Sequence, residues 1–318
     1  MNARNTAFDV QITGMRIEAE GVVSLELQMP DRSALPAWTA GSHIDLVLPS
    51  GLTRQYSLCG EPGDAQRLRI AVLLEPNSRG GSREVHGLRL GQQVTIRGPR
   101  NAFELQPADF FLFVAGGIGI TPILPMIHTA RRVNAMWHLL YGGRSRASMA
   151  FVPELERLGR EHVEIRPADE TGLLDLDAIM AKAAEGVQVY SCGPAALLDA
   201  LTERFASAGL SERLHIERFS AAPAAAPVAG TTLRVILARS GTTVDVPHDC
   251  SVMQALRDAG HDVPSSCEQG VCGMCETRVL EGTPDHRDML LTGSERQRNN
   301  VMMVCVSRAL TPTITLDM

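Results

Sequence analysis

The sequence predicts a multidomain chain of three successive parts: an antiparallel β-barrel, a parallel-sheet α/β domain and a compact α+β domain. Three observations carry this. Residues 8–100 break into short, β-rich, partly alternating runs separated by Gly, Pro and Asp. From 109 onward short apolar runs alternate with helical stretches, which implies a doubly wound parallel sheet. An Ala/Pro-rich segment, SAAPAAAPVAG at 220–230, then separates a short last part from all that precedes it. The 318 residues leave room for two or three domains of about 100–150 residues each.

The barrel, expected over 1–108, takes its strands from FDVQITGMRI, VVSLELQM, HIDLVL, TRQYSL, RLRIAVLL and QVTIRGP. The α/β domain, expected over 109–220, takes strands from FFLFVA, MWHLLY, VEIR, VQVYSC and LHIERF, and helices from stretches such as ITPILPMIHTARRV and PAALLDALTERFASAG. Sheets of this kind bind ligands beyond the carboxyl ends of their strands. Residues 221–230 form the linker, stiffened by Pro223 and Pro227. The last part, 231–318, contains TTLRVILA, TTVDVP and SVMQALRDAG ahead of a cysteine-rich loop.

That loop has a specific spacing. Cys267, Cys272 and Cys275 read C-x4-C-x2-C, and Cys305 follows after twenty-nine residues. A plant-type [2Fe–2S] cluster requires three thiolates on one tight loop and a fourth from a later segment. Gly270 and Gly273 stand between the ligands, where the backbone must bend and aim amide N–H groups at sulfur. Structural zinc also accepts four cysteines but asks for no such glycines. Cys59, Cys192 and Cys250 are left as small, partly buried hydrophobes.

Composition narrows the class. A net charge of −6 argues against a nucleic-acid partner. The most apolar stretch, FFLFVAGGIGI at 110–120, falls short of the roughly 18 residues of a membrane span, and MNARNTAFDVQ has no signal-peptide character. A cytoplasmic protein that meets no membrane is the expectation. Lys182 is the sole lysine beside 29 arginines, so a single arginine is weak evidence for an anion site.

Four motifs point to cofactor chemistry. Arg54-Gln55-Tyr56-Ser57-Leu58 ends a barrel strand and offers a guanidinium for a phosphate, an aromatic ring and a hydroxyl, the parts of a flavin site. Taken alone it describes a packed tyrosine on a surface strand more readily than a flavin site. Ser78-Arg79-Gly80-Gly81-Ser82 leads into the short helix REVHGL and forms an anion pocket, or simply a turn with a cap. Ala115-Gly116-Gly117-Ile118-Gly119-Ile120-Thr121-Pro122 ends the first α/β strand and opens a helix, allowing a pyrophosphate to approach. No acidic residue ends the second strand; Arg144, Ser145 and Arg146 follow instead. Cys192-Gly193-Pro194 again lies between strand and helix, with a small thiol beside a bare glycine where a flat ring could enter.

In this order, R-x-Y-S-L, G-G-x-G-x-T-P, C-G-P and H-I-E-R-F before a C-terminal C-x4-C-x2-C…C resemble the ferredoxin–NADP⁺ reductase superfamily. More narrowly the chain resembles the phthalate dioxygenase reductase and vanillate demethylase reductase group over nearly its whole length. The resemblance implies that Arg54, Gln55, Tyr56, Ser57, Gly80, Gly81 and Ser82 hold a flavin, FMN rather than FAD. It implies that Gly116, Gly117, Gly119, Thr121, Arg144, Cys192, Gly193 and Pro194 serve NADH rather than NADPH. Cys192, Ser57 and Glu217 are implied beside the reacting centre, with Phe219 against the flavin. The implied function passes electrons from NADH through flavin and the [2Fe–2S] cluster to a Rieske-type terminal oxygenase. Two alternatives stay open: a self-sufficient reductase of a small-molecule acceptor, and a redox-sensing ferredoxin-like module.

Other candidates have plainer roles. His43, His86, His128 and His138 are expected to pack or to lie on the surface. Asp169, Glu170 and Asp175 are expected to cap or turn the PADETGLLDLD loop, and His286 to lie on a turn or to touch the electron acceptor.

Overall fold

Alternating side chains over the first hundred residues resolve into strands β1 (Ala7–Ala19), β2 (Val22–Gln28), β3 (Ser42–Val47), β4 (Thr53–Ser57), β5 (Leu68–Leu73) and, after the short helix α1 (Gly81–His86), β6 (Gln93–Asn101). Val10 and Ile12, Leu25 and Leu27, Ile44 and Leu46, Ile70 and Val72, and Val94 and Ile96 recur at period two and fill one core. The strands pair in the order β4-β3-β6-β1-β2-β5, and a bridge from Leu58 to Ile70 joins the two edges. The computed structural model describes residues 7–76, 80–219, 232–291 and 293–318; Ser78, Arg79 and the 220–230 segment lie outside them.

The second sheet is parallel throughout. Its elements are β7 (Phe110–Gly116), α2 (Ile120–Arg132), β8 (Met136–Gly143), α3 (Val152–Gly159), β9 (Val163–Pro167), α4 (Ala168–Thr171), α5 (Leu176–Ala184), β10 (Gln188–Cys192), α6 (Ala195–Ser207) and β11 (Leu214–Glu217). Helices cover both faces because β7 is apolar on both: Phe111, Phe113 and Ala115 pack with α2 and α3, while Leu112 and Val114 pack with α5 and α6. Strand order is β11-β10-β7-β8-β9, so the chain steps outward from β7 and then returns to its other side. The crevice between β7 and β10 is thus the topological switch point, where ligands of such sheets bind.

These two sheets share one compact unit, Met1–Arg218, because the core around α2 also takes in Val22, Cys59, Ala71 and Phe103 from the barrel. Across the same contact Arg69 clamps Glu154 with both terminal nitrogens, at 2.9 and 2.8 Å. Asp175 caps α5, accepting from the amides of Asp177 and Ala178, whereas Asp169 and Glu170 belong to the single helical turn α4.

The other unit, Phe219–Met318, contains β12 (Leu233–Leu237), β13 (Thr242–Val246), α7 (Val252–Asp258), β14 (Glu276–Glu281), β15 (Pro284–Asp285), α8 (Gly293–Arg298), β16 (Val301–Met303), β17 (Arg308–Ala309) and β18 (Thr313–Leu316). A mixed sheet, β13-β12-β18-β14-β16, holds α7 through Val252, Met253 and Leu256, in the manner of a β-grasp. Among the described residues no helix is long and apolar enough to cross a membrane.

Candidate functional site

Glycines set the geometry at the carboxyl edge of the parallel sheet. A Cβ on Gly119 would lie 2.2 Å from the Cys192 carbonyl oxygen, and one on Gly116 would lie 2.5 Å from Pro194. Gly193 would strike the backbone of Gly116 at 3.0 Å. These three let the ends of β7 and β10 meet. Gly117 differs: its φ is +54° and nothing lies within 4 Å of a Cβ there, so its backbone is open to an incoming group. The Thr121 hydroxyl turns back into the loop and donates to the Ile118 carbonyl at 3.0 Å. Pro194 ends the neighbouring turn and precedes α6.

On the barrel, cross-strand register separates two faces of β4. Tyr56 stands opposite Ile44 and Arg54 opposite Leu46, while Ser57 stands opposite His43 and Gln55 opposite Asp45. Arg54 runs over the start of α1: a Cβ on Gly81 would meet its side chain at 2.6 Å, so only glycine leaves room for that guanidinium. Gly80 has φ +96°, and the Ser82 hydroxyl accepts from the Glu75 amide at 3.1 Å. Burial pushes the Tyr56 phenol up to about 12, keeping it neutral. The Gln55 side-chain nitrogen is buried without a hydrogen-bond partner, a donor left over for a bound group. A phosphate-bearing flavin suits this cradle of guanidinium, aromatic ring and glycine pair; the Gln55 donor lies on the opposite face of β4.

At the carboxyl edge of the parallel sheet the barrel makes a further polar contact. The Ser57 hydroxyl donates to Glu217 Oε2 at 3.3 Å, across 160 positions of sequence. Glu217 pairs in register with Cys192, and Cys192 with Ala115. The Glu217 residue keeps some accessible surface, but its carboxyl is enclosed by protein, and that burial pushes it up to about 8 against the bond from Ser57. Burial and then the Glu217 carboxylate push the Cys192 thiol well above its ordinary value. Cys192 therefore stays a neutral thiol and offers shape, not a thiolate nucleophile.

In the second unit the four cysteines form two pairs. Cys275 and Cys305 bring their sulfur atoms to 3.0 Å, and Cys272 is hydrogen-bonded to Cys267. No group of three side chains set for a single ion occurs among the described residues. The amide of Gln269 donates to Cys267 Sγ at 3.3 Å. The Cys272 thiol, with the amides of Gln269, Val271 and Cys272, holds the Cys267 thiol down at about 6. Gly270 and Gly273 both have positive φ, +69° and +74°, and a Cβ on Gly270 would reach Val306 at 2.5 Å. Two thiols per iron, with amides aimed at sulfur, suit a [2Fe–2S] cluster.

Some residues stand elsewhere. Arg144 is exposed beyond β8, and Phe219, the last described residue before 232, is 41% exposed. Burial pushes His43 down to about 4, so it packs as a neutral ring. The His286 side chain is turned inward, 8% exposed and 3.7 Å from buried Asp288. Tyr141 was not anticipated. Its hydroxyl donates to the Gly117 carbonyl at 3.1 Å and so props the open loop, and its only sequence signal is its place just before Gly142-Gly143.

Comparison with known proteins bears on both units. Residues 235–310 match the model of the 2Fe-2S iron-sulfur cluster binding domain, and residues 93–214 match that of the dimethylamine monooxygenase subunit DmmA-like N-terminal domain. The chain is 42% identical over 313 residues to phenoxybenzoate dioxygenase subunit beta of Ectopseudomonas oleovorans, covering 97% of each chain. It superposes on phthalate dioxygenase reductase, described as a modular structure for electron transfer from pyridine nucleotides to [2Fe–2S], with TM-score 0.73 and 35% identity over 98% of both chains. It also superposes on an intact type IV self-sufficient cytochrome P450 monooxygenase, with TM-score 0.87 and 42% identity, 98% of this chain spanning 41% of that one.

Proposed function

Because the chain belongs to the family of oxygenase reductase components represented by phthalate dioxygenase reductase, we propose that it takes electrons from NADH, passes them through FMN to its [2Fe–2S] cluster and delivers them to a terminal oxygenase. The proposed parts are a flavin barrel at 1–108, a nucleotide domain at 109–220, a linker at 221–230 and the ferredoxin domain at 231–318. One observation carries the reading: Ser57 of the barrel meets Glu217 of the parallel sheet beside Cys192, where flavin and nicotinamide would have to meet.

A flavin accepts a hydride and releases electrons singly, which suits it to stand between NADH and a one-electron cluster. The chain's own residues do the rest. Arg54, Gly80, Gly81 and Ser82 would hold the flavin phosphate, with Tyr56, on the same face of β4 as Arg54, toward its ring system. Gly117, propped by Tyr141, receives the pyrophosphate at the start of α2, which Thr121 and Pro122 open. Gly193 and Pro194 leave a slot for the nicotinamide, and Cys192 bounds it as a neutral wall. Glu217 holds a proton at its carboxyl, and the hydrogen bond from Ser57 fixes that carboxyl beside the reacting centre. Phe219 is assigned to the flavin by family resemblance alone. Cys267, Cys272, Cys275 and Cys305 hold the cluster, with loop amides drawing charge from the sulfur atoms.

The partner belongs first to the Rieske-type oxygenases of this family. Likeness to a self-sufficient P450 favours a second acceptor class, a haem oxygenase. NADH as donor and four cysteines assigned to a cluster support a cytoplasmic location. NADH oxidation measured with and without an added oxygenase tests the assignment: turnover that needs the oxygenase supports it. Equal turnover with a small quinone alone would favour a self-sufficient reductase.

A further inference from the structure

Two arginines, Arg144 and Arg146, follow β8, where the adenosine ribose of a dinucleotide is read in sheets of this type. A pair of guanidinium groups there suits a 2′-phosphate, which sits awkwardly with NADH as the donor. The two are not equivalent. Arg144 is exposed and has no ion-pair partner among the described residues. Arg146 donates from Nη2 to Glu156 Oε1 at 2.8 Å.

The pair is built into its surroundings. Glu156 lies on α3 two positions beyond Glu154, so the two carboxylates leave the helix in different directions. Glu154 goes to Arg69 of the barrel, and Glu156 goes to the β8 edge. The turn bearing Arg146 is held by reciprocal bonds between Ser145 and Ser148, and its Ala147 carbonyl accepts from the Glu20 amide at 2.9 Å. An ion pair this exposed contributes little to stability. Its electrostatic effect on a neighbouring ligand is another matter: it cancels one cation and leaves a carboxylate fixed close by.

We propose that Glu156 is the specificity-determining residue that makes this chain prefer NADH to NADPH. By pairing with Arg146 it withdraws one of two guanidinium groups a 2′-phosphate would use, and its own charge repels that phosphate. This rests on the reading that the dinucleotide binds at the carboxyl edge of the parallel sheet. Replacing the carboxylate by an amide of the same shape frees Arg146 for a charge-assisted, bidentate contact.

Equilibrium binding to the flavin-loaded, full-length protein tests this without turnover. Adenosine 2′,5′-bisphosphate and adenosine 5′-monophosphate, which differ only in the 2′-phosphate, are titrated by calorimetry. In Glu156→Gln the ratio of their dissociation constants, bisphosphate over monophosphate, should fall at least about tenfold. In Arg146→Gln it should rise, because Glu156 is left uncompensated. In the double variant the fall should be reversed. An unchanged ratio in Glu156→Gln, or a fall that survives loss of Arg146, would overturn the proposal. If the nucleotides bind but NADH displaces neither, the site itself is misplaced and this inference falls with it.

Discussion

The Ser57 hydroxyl lies 3.3 Å from Glu217 Oε2, joining the last residue of a barrel strand to the last residue of an edge strand in the parallel sheet. Glu217 is the one acid at this junction whose carboxyl is pushed up to about 8, and its protonation state carries a first pair of consequences.

Below about pH 8 the buried Glu217 carboxyl keeps its proton. We expect NADH oxidation to fall as pH rises through that value, and Glu217→Gln to lower turnover by roughly 100-fold while removing this limb. Stability follows the same sign. The folded value lies above the ordinary 4.5, so the contribution is complete below about 4.5 and is lost as pH rises through about 8. Thermal melts of Glu217→Gln should lack that slope, and a persistent slope would place the titration on another group.

Arg54 crosses the start of α1 in space that only Gly81 leaves open. A lost charge-assisted phosphate contact is worth about 1.5–3 kcal/mol, so Arg54→Ala should raise the flavin dissociation constant by roughly 10- to 100-fold. The flavin-to-protein ratio after gel filtration measures this. Full retention would remove Arg54 from the flavin site.

Tyr141 props the Gly117 carbonyl at 3.1 Å. Tyr141→Phe removes one buried hydrogen bond, worth about 1 kcal/mol, and should raise KM for NADH about fivefold. Flavin content should stay constant. A fall in kcat with KM unchanged would mean that the tyrosine acts elsewhere.

Gly270 has φ +69°, and a Cβ there would reach Val306 at 2.5 Å. Gly270→Ala should therefore yield protein with depleted iron and sulfide but normal flavin. Metal analysis beside flavin absorbance decides it, and full iron content would show that the loop relaxes.

Legibility from sequence followed the range of the interactions. Period-two runs such as Val23, Leu25, Leu27 specify a strand locally, and all six barrel strands were readable in this way. So was the cysteine loop, whose ligands and two positive-φ glycines lie within nine residues, Cys267 to Cys275. The helical turn at Ala168–Thr171 was not separable from a capped loop, since four residues hold too little periodicity. Contacts between distant segments left no trace in spacing: Ser57 with Glu217, Arg69 with Glu154 and Tyr141 with Gly117 depend on how the two sheets pack. Motif order identified Ser57 and Glu217 only through family resemblance, and only the fold shows them bonded.

The order of transfer is tested most directly by anaerobic NADH titration, following flavin absorbance and the EPR signal of a reduced [2Fe–2S] cluster together, in the wild type and in Cys272→Ser. In the wild type the flavin should bleach and the cluster signal should grow with added NADH. Cys272→Ser should keep flavin reduction and activity toward artificial dyes while losing the cluster signal and reduction of the oxygenase. Flavin reduction lost along with the cluster, or an oxygenase still reduced without it, would contradict the path from NADH through flavin and cluster to the partner.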